Sequence, residues 1–106
     1  MNTRKVQRQQ ERLRNLIWCT KQIDPDEWSP STWSTCSIGA YIKYNPTCKF
    51  RLKPSRYGHD LISTRPSKDC DDILDELTEY FGMPYTELYD SPTPKYAIDQ
   101  YKEYLK

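Results

Sequence analysis

Cys70, Ile73, Leu74, Leu77, Tyr80 and Phe81 recur at intervals of three and four residues, and that spacing constrains this chain more than any other feature. It predicts an α-helix over residues 68–81 with one apolar stripe, which is stable only when other elements cover it. Ser67 is placed to cap this helix, and Asp69, Asp71 and Asp72 suit the positive end of its dipole. Gly82 fits the C-terminal stop, and a further helical turn is expected after Pro84.

The elements that would cover the stripe are also helical. Over residues 4–23, Val6, Leu13, Leu16, Ile17 and Ile23 fall near one line, with Arg4, Lys5, Arg8, Arg12 and Arg14 around the rest. Pro25 ends that helix, because it restricts the residue before it and cannot continue the hydrogen-bond ladder. A short helix is expected over residues 35–44, where Gly39 and Ala40 leave one face bare enough for another element to approach closely. A last helix begins at Thr93-Pro94, a capping residue followed by proline at the first helical position, and buries Ala97, Ile98, Tyr101 and Leu105. Between them, Cys48-Lys-Phe-Arg-Leu-Lys53 alternates apolar and basic residues with the period of a half-buried strand. A turn over residues 54–60 would return the chain through residues 61–64 as a hairpin. Two strands alone are marginal, so the ribbon must lean on the helices. The expected fold is mainly α (α+β), one domain over residues 1–106 with about four helices and one short β-hairpin. It divides into a basic helix over 1–23, a Trp/Cys segment with the basic hairpin over 28–66, and an acidic helical half over 67–106.

Only 36% of the residues are apolar, but nine Tyr, three Trp and two Phe bury large areas apiece and make one modest core attainable. No run approaches the roughly 20 apolar residues of a membrane span. The basic start has no apolar segment behind it, unlike a secretory signal. The expected location is the cytoplasm, where Cys19, Cys36, Cys48 and Cys70 are expected as buried small side chains. In an oxidising compartment the same four would allow two bridges in three pairings.

Charge is divided along the chain. Residues 1–68 carry 13 Lys and Arg against 5 Asp and Glu, whereas residues 69–106 carry 3 against 10. Such asymmetry bears on partners rather than on fold. In the basic half, Lys49, Arg51 and Lys53 share one strand face and Arg56 follows in the turn. They form a candidate site for phosphates of a nucleotide or nucleic acid, with Trp28, Trp33 or Tyr57 to stack a base. The plainer reading is that a half-buried strand turns polar residues outward in any case, and that edge lysines deter aggregation. In the acidic half, Asp71, Asp72, Asp75, Glu76 and Glu79 form a candidate docking face for a basic surface of a partner. The plainer reading is dipole compensation plus a solvated face; like charges at i,i+4 (Asp71 with Asp75, Asp72 with Glu76, Asp75 with Glu79) oppose helix formation and set a partner-facing role beside it as the second reading.

Catalytic chemistry finds little to work with. The sequence has no G-x-G-x-x-G, no phosphate-binding P-loop and no H-E-x-x-H, and its three glycines offer little material for a phosphate-cradling loop. Cys36, Cys48, His59 and Cys70 would make up a Cys₃His zinc set, yet they lack the close pair of ligands that structural zinc sites draw from one turn. Cys36 or Cys48 with His59 is a formal nucleophile–base pair without a recognisable signature around it. A non-enzyme without metal or cofactor is expected.

The segment Trp28-Ser-Pro-Ser-Thr-Trp33-Ser-Thr-Cys36-Ser-Ile-Gly39-Ala40 resembles the core of a family of small, functionally uncharacterised phage and prophage proteins. These carry an S-T-W element followed closely by C-x-x-G-A and a short helix. The resemblance extends to the helix ending at Phe81-Gly82 and to Tyr85, Leu88 and Tyr89 behind it. Members of that group often place a second cysteine with glycine before the C-x-x-G. Here only Ser34 and Thr35 stand between Trp33 and Cys36, so a paired-cysteine role does not carry over. The resemblance implies a viral or mobile-element accessory protein. With the divided charge, it gives the expectation of a non-enzymatic inhibitor that binds and obstructs a host protein or protein–nucleic acid complex. Sequestration of a nucleotide signal and direct nucleic-acid binding are the alternatives.

Overall fold

The computed structural model describes residues 3–29, 32–56, 58–89 and 91–105. In chain order it holds α1 (Thr3–Lys21), α2 (Ser37–Tyr44), the strands β1 (Phe50–Ser55) and β2 (Gly58–Ser63), then α3 (Ile73–Phe81), α4 (Thr86–Tyr89) and α5 (Pro94–Glu103). Two single 3₁₀ turns, Pro25–Glu27 and Trp33–Thr35, connect α1 to α2. The mainly helical reading with one hairpin holds.

Helix α1 is the spine, packing against α2, α3 and α5. Its inner line, Leu13, Leu16, Ile17, Cys19 and Thr20, meets Ile38 and Tyr41 of α2, Leu77 and Phe81 of α3, and Ala97 and Tyr101 of α5 in one core. Val6 departs from the expected stripe, for it is 46% exposed. Gly39 is required where α2 begins: a Cβ there would lie 2.5 Å from the Ser34 carbonyl oxygen, so the Trp33–Thr35 turn can press onto α2 only without a side chain.

Antiparallel β1 and β2 pair from Phe50 with Ser63 to Ser55 with Gly58. The turn is therefore much tighter than the seven-residue connection expected from Pro54 and Gly58. Pro54 lies within β1 opposite His59, which a two-stranded ribbon tolerates because each strand has a free edge. Gly58 takes a φ of 123°, a conformation open to glycine, where the return strand starts.

Helix α3 starts five residues later than its apolar spacing predicts. Asp72, not Ser67, is the cap, its carboxylate accepting the Asp75 amide at 2.9 Å. Ser67 instead accepts the amide of Asp69 at 3.2 Å in the turn before the helix. Asp71 and Asp72 thus lie outside the helical segment, which removes two of the three like-charge i,i+4 pairs invoked for a partner-facing acidic helix. The end falls where expected: Gly82 is left-handed (φ 73°) and its amide reaches the Thr78 carbonyl. Helix α5 also starts as read, with Thr93 accepting the Tyr96 amide and Pro94 in the first turn.

A line of hydroxyls crosses the otherwise apolar interior. Tyr101 donates to Ser37 Oγ at 2.8 Å, Ser37 Oγ lies 2.9 Å from Thr20 Oγ1, and Thr20 is hydrogen-bonded to the Leu16 carbonyl at 2.7 Å. All three side chains are fully buried and belong to α5, α2 and α1, so the line fixes how these helices meet. Burial pushes the Tyr101 phenol well above its usual range. Ser37→Ala strands the buried Tyr101 hydroxyl and leaves Thr20 with the Leu16 carbonyl alone. It is expected to lower unfolding free energy by about 1–3 kcal/mol, read from urea denaturation.

Candidate functional site

Charge gathers at one opening, where the first three turns of α1 face the start of β1, the Ser67 turn and the end of α3. The cleft there has a volume of about 500 Å³ and is lined by Arg4, Lys5, Arg8, Arg12, Lys49, Ser67, Glu79 and Tyr80. Its shape follows from local rules. Residues 4, 8 and 12 recur every four positions and so stand along one side of α1. Helix α1 is tied to α3 by the last member of this line and by its neighbour on the adjoining side: Arg12 Nη1 donates to the Tyr80 carbonyl at 3.1 Å, and Gln9 Nε2 donates to the Glu79 carbonyl at 2.6 Å.

Tyr80 forms the floor. The Arg12 guanidinium lies 4.0 Å over its ring, a cation–π contact. Beneath, the ring meets Phe50 and Phe81 edge-on, with centroids 5.0 and 4.9 Å away, and its hydroxyl is 2.9 Å from that of Tyr41. The floor is therefore continuous with the aromatic part of the core.

Two carboxylates of α3 hold the far wall. Glu76 is 3% exposed and accepts both the Lys49 ammonium and the Ser67 amide, one on each oxygen. Glu79 bridges the mouth: Lys5 Nζ lies 3.4 Å from Oε1, and the Cys70 thiol donates to Oε2 at 3.0 Å. That thiol bond, aided by Lys5, holds the Glu79 carboxyl below the usual carboxylate range, and the same bond raises the Cys70 thiol.

These positions redistribute the residues expected from sequence. Lys49 lines the cleft but is paired with Glu76. Arg51 folds back onto the carbonyls of Cys48 and Phe50, while Lys53 and Arg56 are exposed on the hairpin, and none of the three lines the cleft. Glu76 is turned inward and cannot belong to an outward docking face; Glu79 belongs to the cleft. Asp71, Asp72 and Asp75 remain exposed. Trp28 is 8% exposed with its indole N–H donated to the Ser91 carbonyl, so its ring is a core group and not a stacking surface. Trp33 packs half-buried against the core near α2, away from the cleft, and Tyr57 lies outside the described residues. Sequence reasoning noted the basic face of the first helix without making a site of it. The available signal was the four-residue spacing of Arg4, Arg8 and Arg12.

The thiols are free, with Cys19 and Cys36 fully buried and Cys48 and Cys70 half-buried. Burial raises Cys36, which therefore keeps its proton near neutral pH and is a poor nucleophile. Among the described residues no group of three or more His, Cys, Asp or Glu is placed to hold a metal ion, and no helix is long and apolar enough to cross a membrane.

Glu76→Gln keeps an acceptor for Ser67 but leaves the Lys49 ammonium without a counter-charge. The expected loss is about 2–4 kcal/mol of unfolding free energy in urea, toward the lower part of what breaking a buried pair costs because Lys49 stays partly wet. Glu79 is checked by NMR titration of its side-chain carbon. Its midpoint should lie below the ordinary 4.5 and rise toward it in Cys70→Ala. Because folding lowers this value, the stabilisation from Glu79 is complete above pH 4.5 and fades as pH falls through the lowered midpoint. An unchanged midpoint in Cys70→Ala would show that the thiol is not the cause.

Compared with family models, with curated proteins and with solved structures, the chain matches none of them.

Proposed function

We propose that this chain is a non-enzymatic binding protein whose cleft between α1, β1 and α3 takes a phosphate-bearing partner. By occupying a host macromolecule or nucleic-acid-processing complex in this way, it obstructs it, as an accessory protein of a phage or mobile element would. The phage setting rests on the resemblance of residues 28–90, and the binding chemistry rests on the cleft.

The observation that carries the reading is the convergence of five cations on one opening. Lys49 is balanced by Glu76 and Lys5 by Glu79, which leaves Arg4, Arg8 and Arg12 uncompensated. Arg4 and Arg8 have no hydrogen bond or ion pair to another described residue. Guanidinium groups offer several donors in a plane and match phosphate oxygens better than an ammonium does. Raised thiols, and carboxylates engaged in ion pairs, leave the opening with cation chemistry rather than acid–base or nucleophilic chemistry. Sequestration of a nucleotide is the second reading, favoured by a volume within the range of small-ligand pockets.

Fluorescence anisotropy with a labelled oligonucleotide tests the assignment. Binding should weaken steeply as salt rises. Arg8→Glu should weaken it by about tenfold or more at low salt, since a charge-assisted hydrogen bond contributes about 1.5–3 kcal/mol. Wild-type affinity in Arg8→Glu, or binding indifferent to salt, overturns the assignment.

A further inference from the structure

We infer that the ligand of this cleft is single-stranded nucleic acid, held by successive backbone phosphates on a ladder of Arg4, Arg8 and Arg12. The inference rests on the phosphate-binding reading and goes beyond it by naming the substrate class.

Three observations carry it. First, the uncompensated cations are not scattered but stand at i, i+4 and i+8 on one side of α1. Each step rises about 6 Å and the whole ladder about 12 Å. Phosphates joined through a sugar stand apart on that scale, whereas those of a nucleoside triphosphate share single bridging oxygens and crowd together. A triphosphate engages one or two rungs; an extended strand reaches all of them.

Second, the cleft has two walls. Lys49 and Ser67 face α1 across the Tyr80 floor, which suits one strand lying lengthwise. Within five residues of Ser67 the chain carries Asp69, Asp71 and Asp72, all exposed and carrying no ion pair among the described residues. A duplex laid on the ladder would bring its second strand toward these carboxylates, and like charge would repel it. A single strand leaves that side empty.

Third, the rung nearest the core is a stacking platform as well as a cation. The Arg12 guanidinium is held 4.0 Å over the Tyr80 ring and by its bond to the Tyr80 carbonyl, and both residues line the cleft. Bases of unpaired strands stack on such planes with little regard to sequence. A sequence-tolerant, salt-sensitive strand binder follows.

The test uses the full chain and a short labelled oligothymidylate, with affinity measured as a function of salt. For single strands each phosphate contact contributes about −0.7 to the slope of log affinity against log salt, so three rungs give about −2. Arg4→Ala and Arg8→Ala should each make the slope shallower by about 0.7, while Lys53→Ala, outside the cleft, should leave it unchanged. Both arginines are exposed on a helix surface where alanine is well tolerated, and melting curves confirm that each variant is folded. A duplex of the same length and the mononucleotides ATP and GTP should bind at least tenfold more weakly. Equal affinity for ATP or for the duplex overturns the single-strand inference and leaves the phosphate-binding reading intact. Failure of oligonucleotide, duplex, ATP and pyrophosphate alike at low salt overturns both.

Discussion

A single buried carboxylate decides how the hairpin is joined to the helices. Glu76 stands on the inward side of α3, one oxygen on the Lys49 ammonium just before β1 and the other on the Ser67 amide just after β2. The hairpin is thereby fastened at both of its feet to the helix behind it. A two-stranded ribbon has little stability of its own, and this one covers part of the core through Phe50, Leu52 and Leu61. Without an anion at Glu76, the amide and the ammonium would each lose their partner in a region with little water. Burying a carboxylate is expensive unless its oxygens are satisfied, and here both are.

The same clamp makes the cleft. Holding Lys49 and Ser67 on the far wall sets the width of the opening, and Tyr80, one helical turn from Glu76, becomes its floor. Tyr80 joins two regimes: its edge and hydroxyl belong to the aromatic core, and its upper face carries Arg12. That arrangement shows how a chain with few aliphatic residues gains from tyrosine. A Tyr covers the core boundary with an apolar ring and leaves a face or a hydroxyl for polar partners, so the boundary of the core is also the base of a polar surface.

Much of the fold was legible because its signals are local. Thr93-Pro94 starts α5 and Gly82 ends α3 for reasons contained within a few residues, and the structure follows both. The start of α3 was not, because Ser67 and Asp72 are comparable caps and the apolar spacing includes Cys70. The choice between them depends on Glu76, which in a continuous helix would stand about 13 Å beyond Ser67 and reaches its amide only because the chain turns between them, and on Glu79, which draws the Cys70 thiol to itself. Both are contacts of nine residues' separation that periodicity does not register. The site suffered in the same way. Alternation marked Lys49, Arg51 and Lys53 as equivalent, but only Lys49 has a carboxylate behind it, and Arg51 turns back on its own strand. The basic residues of α1 were visible as a charged helix. Which side of it would face a second wall is a property of how α1 crosses α3, set by Gln9 and Gly82 meeting there: a Cβ on Gly82 would lie 2.9 Å from Gln9 Oε1.

The divided charge of the sequence therefore has a different meaning in three dimensions. It would suggest two distant poles, one for each kind of partner, but the halves meet along α1 and α3, where Lys5 pairs with Glu79 and Lys49 with Glu76. Pairing along that seam is partial. It consumes the lysines and the inward glutamates, and leaves arginines on one side and exposed aspartates on the other. Arginines along one wall, with exposed carboxylates in the segment that follows Ser67, do something that separate poles do not: they attract a polyanion to α1 and repel whatever extends beyond the opposite wall. A flexible single chain of phosphates can satisfy both conditions by lying against α1, whereas a wide, doubly charged body cannot. The neutralised seam weakens the case for a long-range electrostatic dipole, and it strengthens the case for a site that selects its ligand by width.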